Sequence, residues 1–172
     1  MTDRTAFLMF GRRFHNSFRT TIENGLGGDK NQWAAERPLF EHYSCAMYVA
    51  GCLAYLEGTY GRNAWISSPV HASDFDNFLR SCPDPARTNF QKKGICKTGM
   101  EALICIRNAV IHNSGDLSQN NDSSSLRKVT LAAVPGVVLN GSIVSLVSNR
   151  QIDFMAYVRL SLVAVAQFQG DG

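Results

Sequence analysis

The sequence is poor in charge and lacks the patterns that mark several classes of protein. Only 18% of its 172 residues are charged and 45% are hydrophobic, a balance that argues against intrinsic disorder. No apolar run approaches the roughly 18 residues that a membrane span needs. The opening residues, MTDRTAFLMFGRRF, interrupt their apolar stretch with two arginines and show no small-residue cleavage site. We therefore expect one soluble, cytoplasmic globular domain over residues 1–172, with no membrane partner.

Cysteine occurs in an odd number and without paired spacing. The five cysteines form no Cys-x-x-Cys pair, so neither a disulfide framework nor a zinc site is indicated. We expect reduced and mostly packed thiols, and neither a metal nor a cofactor. The formal net charge of +3 leans toward an anionic partner, but it is too small to identify a nucleic-acid binder unless the charge is clustered.

Helical periodicity dominates what the chain does contain. Apolar residues recur at spacings of three and four between residues 4 and 23, which predicts an amphipathic helix. Pro38 suits the first position of a second helix. The run that follows is apolar on nearly every side until Gly58 and Gly61, so this helix should be the central one. A close helix–helix approach would account for Gly51 inside it.

The middle of the chain predicts connecting structure and then a third long helix. Prolines interrupt residues 62–97, which leaves room for one short helix near Asp74–Arg80. Thr98 and Glu101 then match a capping box, in which each side chain satisfies a free backbone amide of the other residue. The helix that starts at Thr98 should run to about Asn113, because Gly115 can take the left-handed conformation that closes a helix.

The last third predicts a loop, a hairpin and a final helix. Residues 113–125 are rich in Asn, Ser and Asp, so we expect a mobile, solvated loop that borders any site at the end of the third helix. An ordinary exposed connection into the hairpin is the alternative. The Asn-Gly pair at 140–141 is a strong hairpin signal within residues of about 127–148. Ser148 and Gln151 match another capping box, which starts a final amphipathic helix.

The third long helix carries an arginine within its apolar face. At about 100° per residue, Leu103, Ile106 and Val110 share one face of an ideal helix, and Arg107 falls inside that sector. A buried guanidinium without a counter-charge costs several kcal/mol, so Arg107 needs a counter-ion or a second protein surface. Glu57 is a candidate counter-ion, and a role in a functional site is the alternative.

His112 ends the same helix, five residues after Arg107. Asn108 lies one turn before His112 and can orient its imidazole, and a cation suits this last helical turn. His112 lies about 140° around the axis from Arg107, so one straight helix does not aim both side chains at one ligand. Two helices that cross about a two-fold axis would, which favours a composite site in a homodimer.

The same spacing occurs a second time, in Arg37 and His42, so spacing alone is weak evidence. Pro38 disfavours helical geometry at Arg37, which would place that arginine before the helix and His42 within it. We therefore expect the first pair to be coincidental and the second to be the meaningful one.

The stretch IRNAVIHNSGD at residues 106–116 resembles the signature of the HEPN (higher eukaryotes and prokaryotes nucleotide-binding) superfamily. The preceding helix, YSCAMYVAGCLAYLEGTYGR, is similar to the second helix of its prokaryotic RiboL-PSP and MAE-type branches. The resemblance covers roughly residues 37–115. It implies a mainly α, HEPN-like helical bundle that forms a homodimer, here with a small β-hairpin inserted before the last helix. The resemblance also implies metal-independent RNA cleavage in a defence or toxin–antitoxin system, with an antitoxin as a possible partner. By position in the motif, it assigns the catalytic site to Arg107, Asn108 and His112.

The chemistry of these residue types suits RNA cleavage. A 2′-hydroxyl must attack the adjacent phosphorus while a group moves protons and positive charge meets the phosphate. An arginine fork fits phosphate oxygens, and imidazole titrates near neutral pH. The alternative is a non-catalytic HEPN-like module that binds a nucleotide or RNA or orders an assembly. A plain ion pair for the arginine and a helix cap for the histidine also stay open.

Two basic pairs and three tyrosines complete the candidates. Lys92–Lys93 and Arg127–Lys128 are candidate contacts for the RNA backbone, with solvated loops as the alternative. The tyrosines of the second helix are expected in the core rather than as stacking platforms for bases; they are Tyr43, Tyr48 and Tyr55.

Overall fold

The computed structural model describes residues 30–60, 69–112, 115–119, 134–146 and 150–169, together with Arg13, Asn16, Ser17 and Thr20. Within these residues the chain forms five α-helices and one β-hairpin. The helices are α1 Lys30–Tyr60, α2 Pro69–Ser81, α3 Ala86–Lys93, α4 Lys97–His112 and α5 Gln151–Phe168; a 3-10 turn covers Leu117–Gln119, and the strands are β1 Val137–Asn140 and β2 Ile143–Leu146. The predicted mainly helical fold with a small hairpin before the last helix is confirmed. The helix expected over residues 4–23 falls outside the described residues, apart from the four single residues named above.

Helix α1 is central, as its apolar composition predicts, because it packs against both α4 and α5. The core between these helices is built from large side chains that are at most 2% exposed, such as Leu53, Leu103 and Phe154. Burying one such side chain stabilises the fold by about 1.5–3 kcal/mol. No helix in the described part of the chain is both long and apolar enough to cross a membrane.

The start of α1 contradicts the expectation from Pro38. The helix begins at Lys30 and runs through Pro38 without ending there. Side-chain contacts on both sides of the proline offset its missing amide hydrogen bond: the rings of Trp33 and Phe40 meet edge to face at 5.6 Å, and Arg37 pairs with Glu41 at 2.7 Å. These side-chain contacts within α1 thus outweigh the tendency of Pro38 to mark the first turn of a helix.

The connection between α1 and α4 holds more helix than predicted. The short helix expected near Asp74–Arg80 extends over Pro69–Ser81 as α2, and a further helix, α3, occupies Ala86–Lys93. Helix α3 ends at Gly94 in the left-handed conformation, with φ of 67°. Prolines bound these helices on their N-terminal sides, where the ring is tolerated, so they divide the segment rather than disrupt it.

Helix α4 forms where the periodicity predicts, but its cap is not the predicted capping box. Cys96 precedes the helix, and its carbonyl accepts the first helical bond, from Met100, at 3.1 Å. The Cys96 thiol accepts from the Gly99 amide at 3.4 Å, while a carboxylate oxygen of Asp76 in α2 accepts from the Lys97 amide at 2.8 Å. One orphan amide of the first turn, that of Lys97, is therefore satisfied by a distant residue, which the sequence pattern cannot show.

The hairpin and the start of α5 also differ from the predictions in detail. Asn140 pairs with Ile143, so the two-residue turn is Gly141–Ser142, one residue later than the Asn-Gly signal. Residues 127–133 and 147–148 of the predicted region lie outside the described residues. Helix α5 starts after Arg150, which makes no side-chain capping bond, and Gln151 turns instead to Glu41 in α1. The predicted capping box requires Ser148 as the N-cap, whereas the N-cap is Arg150; Ser148 itself lies outside the described residues.

Candidate functional site

Arg107 lies where the helical wheel places it, on the buried side of α4, and its side chain is only 12% exposed. One guanidinium nitrogen, Nη2, forms an ion pair with Glu57 of α1. The other, Nη1, donates to the Asn108 amide oxygen at 2.9 Å. The predicted counter-ion is thus confirmed as the contact that compensates the charge, because a carboxylate that is itself only 25% exposed faces it.

His112 occupies the last residue of α4 and is exposed. The helix closes directly after it, since the Gly115 amide donates to the Ala109 carbonyl at 2.9 Å and Gly115 adopts a φ of 88°. His112 is therefore held on rigid backbone with its imidazole accessible to a ligand. This is the arrangement that a proton-transferring or phosphate-binding histidine needs.

Asn108 does not orient His112 in the way the sequence suggests. Its amide oxygen accepts a hydrogen bond from Arg107, so within the described structure it serves the arginine rather than the histidine one turn later. The motif is consequently split into two parts. Arg107, Asn108 and Glu57 form a partly buried polar cluster, and His112 stands apart at the exposed end of the helix.

The expectation that Arg37 lies before the helix that carries His42 is wrong, because both residues belong to α1. Their roles are nevertheless structural in character. Arg37 pairs with Glu41 at 2.7 Å, and the other oxygen of Glu41 accepts from Gln151 of α5. Glu41 is 3% exposed, so this buried charge ties α1 to the start of α5. His42 is partly buried in an apolar cleft that is also lined by Val110 of α4.

That cleft shows how the two helices meet. Most of its walls come from α1, through residues such as Ala46 and Val49, and from α4, through Ile106 and Val110; Val144 of β2 and Phe154 of α5 complete it. The C-terminal end of α4, which carries His112, therefore lies against the middle of α1. Only tertiary structure could show this, since the two segments are about sixty residues apart in the sequence.

The segment after His112 is less free than predicted. The Leu117 amide donates to the Ser142 carbonyl, and the Val144 amide donates to the Gly115 carbonyl, both at 2.9 Å. Leu117 is 2% exposed and belongs to the core. Residues 115–119 are thus anchored to the hairpin, so the expectation of a freely mobile loop is wrong for this part of it.

The basic pairs are not gathered around His112 by the described structure. Lys92 and Lys93 are exposed in the last turn of α3, not in a loop. They precede the N-terminus of α4, and His112 ends that helix about 22 Å further along its axis. Arg127 and Lys128 lie outside the described residues.

Tyr43 departs from the expectation of a core tyrosine, because it is 59% exposed. Tyr48, in contrast, is 6% exposed and Tyr55 is partly buried, in agreement with the prediction. Burial raises the pKa of the Tyr48 hydroxyl, and the nearby Cys52 thiol raises it further. Tyr48 therefore stays neutral in the core and is not a candidate for proton transfer near pH 7.

Neither a search for metal-binding clusters nor a comparison with known proteins assigns a function to further residues. Among the described residues, no group of three or more His, Cys, Asp or Glu side chains is placed to hold a metal ion. No protein-family model, no curated protein and no solved structure matches this chain. The functional argument consequently depends on the motif in α4 and on its geometry.

Proposed function

We propose that the chain is a HEPN-type, metal-independent endoribonuclease of a cytoplasmic defence or toxin–antitoxin system and that it acts as a homodimer. The observation that carries the proposal is the exposed His112 on the rigid end of α4. Five residues before it, Arg107 is oriented by Glu57 and Asn108. The exposed position of His112 at the helix end suits a histidine that acts on RNA. The order of arginine, polar residue and histidine along α4 resembles the motif of the HEPN superfamily.

The proposed reaction is internal transesterification of an RNA phosphodiester. The 2′-oxygen attacks the neighbouring phosphorus as its proton passes to a base, and the bond from phosphorus to the 5′-oxygen breaks as that oxygen gains a proton. The products are a 2′,3′-cyclic phosphate and a 5′-hydroxyl. His112 is the proton-transferring group, because its imidazole is exposed at the end of α4 and histidine is the commonest general acid–base residue. Arg107 provides positive charge near the phosphate, in an orientation fixed by Asn108.

The site is proposed to be shared between two chains. Arg107 and His112 project about 140° apart from one helix, and the guanidinium is mostly buried while the imidazole is exposed. Two motif copies that approach about a two-fold axis would place one chain's histidine opposite the other's arginine. RNA is then the substrate, and an antitoxin is a possible partner that covers the shared site.

A second function is favoured by one specific contact. The ion pair with Glu57 already neutralises Arg107, which reduces the charge it offers to a phosphate. The competing proposal is therefore a non-catalytic HEPN-like module, in which the motif orders an assembly or holds a nucleotide or RNA without cleaving it.

Cleavage of total RNA in EDTA, compared between the unaltered protein and His112→Ala, tests the first proposal. General acid–base catalysis typically contributes about 10²–10⁴-fold, so we expect a loss of that order in the variant. His112 is exposed, so the substitution should change the free energy of unfolding by less than about 0.5 kcal/mol. The product ends should be a 2′,3′-cyclic phosphate and a 5′-hydroxyl.

His42→Ala is the matched control, because His42 also follows an arginine by five residues on a helix but lies in the apolar cleft. It should keep full cleavage activity. Equal cleavage by the unaltered protein and His112→Ala would refute the catalytic role of His112. No cleavage by either protein, together with retained RNA binding, would favour the non-catalytic module.

A further inference from the structure

One face of α1 is apolar and exposed although the helix is central to the fold. Leu39, Tyr43 and Met47 follow one another at spacings of four and are 64%, 59% and 71% exposed. The same face continues through Gly51, Ala54 and Gly58, which are exposed as well. These six residues are here named the α1 stripe. They share one side of the helix because residues three or four apart are neighbours on its surface.

The two glycines of the α1 stripe contact no other described residue that would explain them. A Cβ atom added at Gly51 or at Gly58 would meet nothing within 4 Å. Neither glycine has a positive φ, and glycine in a helix interior is less favourable than alanine. The close approach that Gly51 suggests in the sequence is therefore absent from the described chain, and a surface outside it would account for both glycines.

The α1 stripe is complementary to itself. Its N-terminal half carries three large side chains and its C-terminal half carries three small residues. When two copies of α1 lie antiparallel with Leu39 opposite Gly58, the same register places Tyr43 opposite Ala54. Met47 then falls opposite Gly51 to within one residue. A two-fold interface needs this kind of self-complementary surface, because each residue is used twice.

The charge and extent of the stripe suit a second copy. Its six residues are uncharged and span about 29 Å of helix, so a two-fold axis near their centre brings no like charges together. One helix face about 10 Å wide gives roughly 300 Å², whereas a stable interface buries about 800 Å² per partner. The contact must therefore extend sideways. Ile111, 51% exposed at the end of α4 that lies against the middle of α1, is available for this.

We propose that two copies of this chain associate through antiparallel α1 stripes, with Leu39 facing Gly58 and Tyr43 facing Ala54 of the second copy. The inference rests on the homodimer part of the proposed function and not on RNA cleavage. The two-fold axis passes near residue 49. Because Val49 and Val110 line one cleft, the C-terminal end of α4 lies level with this axis along the length of α1.

Paired cysteines in the full-length protein test the register. Leu39→Cys/Gly58→Cys and Tyr43→Cys/Ala54→Cys place thiols opposite each other in the proposed dimer. Leu39→Cys/Ala54→Cys and Tyr43→Cys/Gly58→Cys use the same four substitutions, but the thiols are shifted by one turn, about 6 Å. A disulfide needs Cα atoms within about 7 Å, so the matched pairs should form covalent dimers at least about tenfold faster than the shifted pairs. The unaltered chain sets the background from its native thiols.

A second measurement avoids added thiols. Ala54→Leu fills the small half of the stripe, while Ala34→Leu makes the same change on an exposed residue of α1 that lies about 160° around the helix. By sedimentation, Ala54→Leu should raise the dimer dissociation constant at least about tenfold, and Ala34→Leu should leave it unchanged. Circular dichroism checks that both variants fold.

Two results would overturn the inference. One is a monomeric unaltered protein whose matched pairs form no covalent dimer, which would mean that the chain's own N-terminal residues or another protein covers the stripe. The other is a dimer with equal cross-linking of matched and shifted pairs, which would place its interface elsewhere. A dimer with the proposed register and no RNA cleavage would support the interface and refute only the catalytic proposal.

Discussion

Replacing Glu57 by glutamine tests whether Arg107 depends on its counter-ion. The substitution keeps the shape of the side chain and a hydrogen-bond acceptor, and it removes only the negative charge. Arg107 is 12% exposed, so its guanidinium would keep its charge with little access to water. The unfolded chain hydrates both side chains freely, so the loss falls on the folded state.

The expected magnitude follows from the exposure of the two partners. Exposed ion pairs contribute about 0–1 kcal/mol, and removing one partner of a fully buried pair costs about 3–5 kcal/mol. Glu57 keeps a quarter of its side chain in water, so Glu57→Gln should cost about 2 kcal/mol, between these limits. The double variant Glu57→Gln/Arg107→Met removes both charges and should be at least about 1 kcal/mol more stable than the sum of the single changes implies.

Urea unfolding followed by circular dichroism measures these differences, provided that the m value stays constant. Glu101→Gln is the matched control on α4, since Glu101 forms an exposed pair with Lys97 at 3.5 Å and should cost less than about 0.5 kcal/mol. A loss below about 0.5 kcal/mol for Glu57→Gln, or additive free energies in the double variant, would refute the argument that a buried guanidinium in α4 requires this carboxylate.

Two further predictions concern the core. Gly99→Ala places a methyl group well inside van der Waals contact with the fully buried Tyr157 hydroxyl, so it should lower the free energy of unfolding in urea by about 1–3 kcal/mol. Adding Tyr157→Phe should relieve part of that cost. A Gly99→Ala variant as stable as the unaltered protein would contradict the close packing. Burial raises the pKa of the Cys45 and Cys52 thiols from 9.0 to about 12. The unfolded chain then releases two protons that the folded chain retains, so the contribution of these thiols is complete below about pH 9 and falls by about 2.7 kcal/mol per pH unit toward pH 12. Cys52→Ala should reduce the measured slope by about 1.4 kcal/mol per pH unit, and a free energy of unfolding that stays flat through this window would contradict the burial of the thiols.

Gly51 and Gly99 show where sequence reasoning about helical glycines fails. Gly51 looks like a point of close approach, yet nothing in the described part of the chain lies within 4 Å of a Cβ atom added there. Gly99 drew no such expectation, yet Tyr157 of α5 occupies the space that its side chain would need. A glycine signals that contact is possible, but the identity of the neighbour depends on how distant helices are placed.

Helices α4 and α1 show which structural features depend on neighbouring residues in the sequence and which depend on contacts between distant segments. The sequence by itself determined the extent of α4 to within one residue at each end, its buried face, and the need of Arg107 for an opposite charge, because helical period and charge desolvation act over a few residues. It did not determine the cap of α4, which depends on Asp76 of α2, or the passage of α1 through Pro38. Only the tertiary structure decided which side of α1 remains exposed. That helix is apolar nearly all round, so its pattern marks no solvent face, and the positions of α4 and α5 against it leave Leu39, Tyr43 and Met47 uncovered.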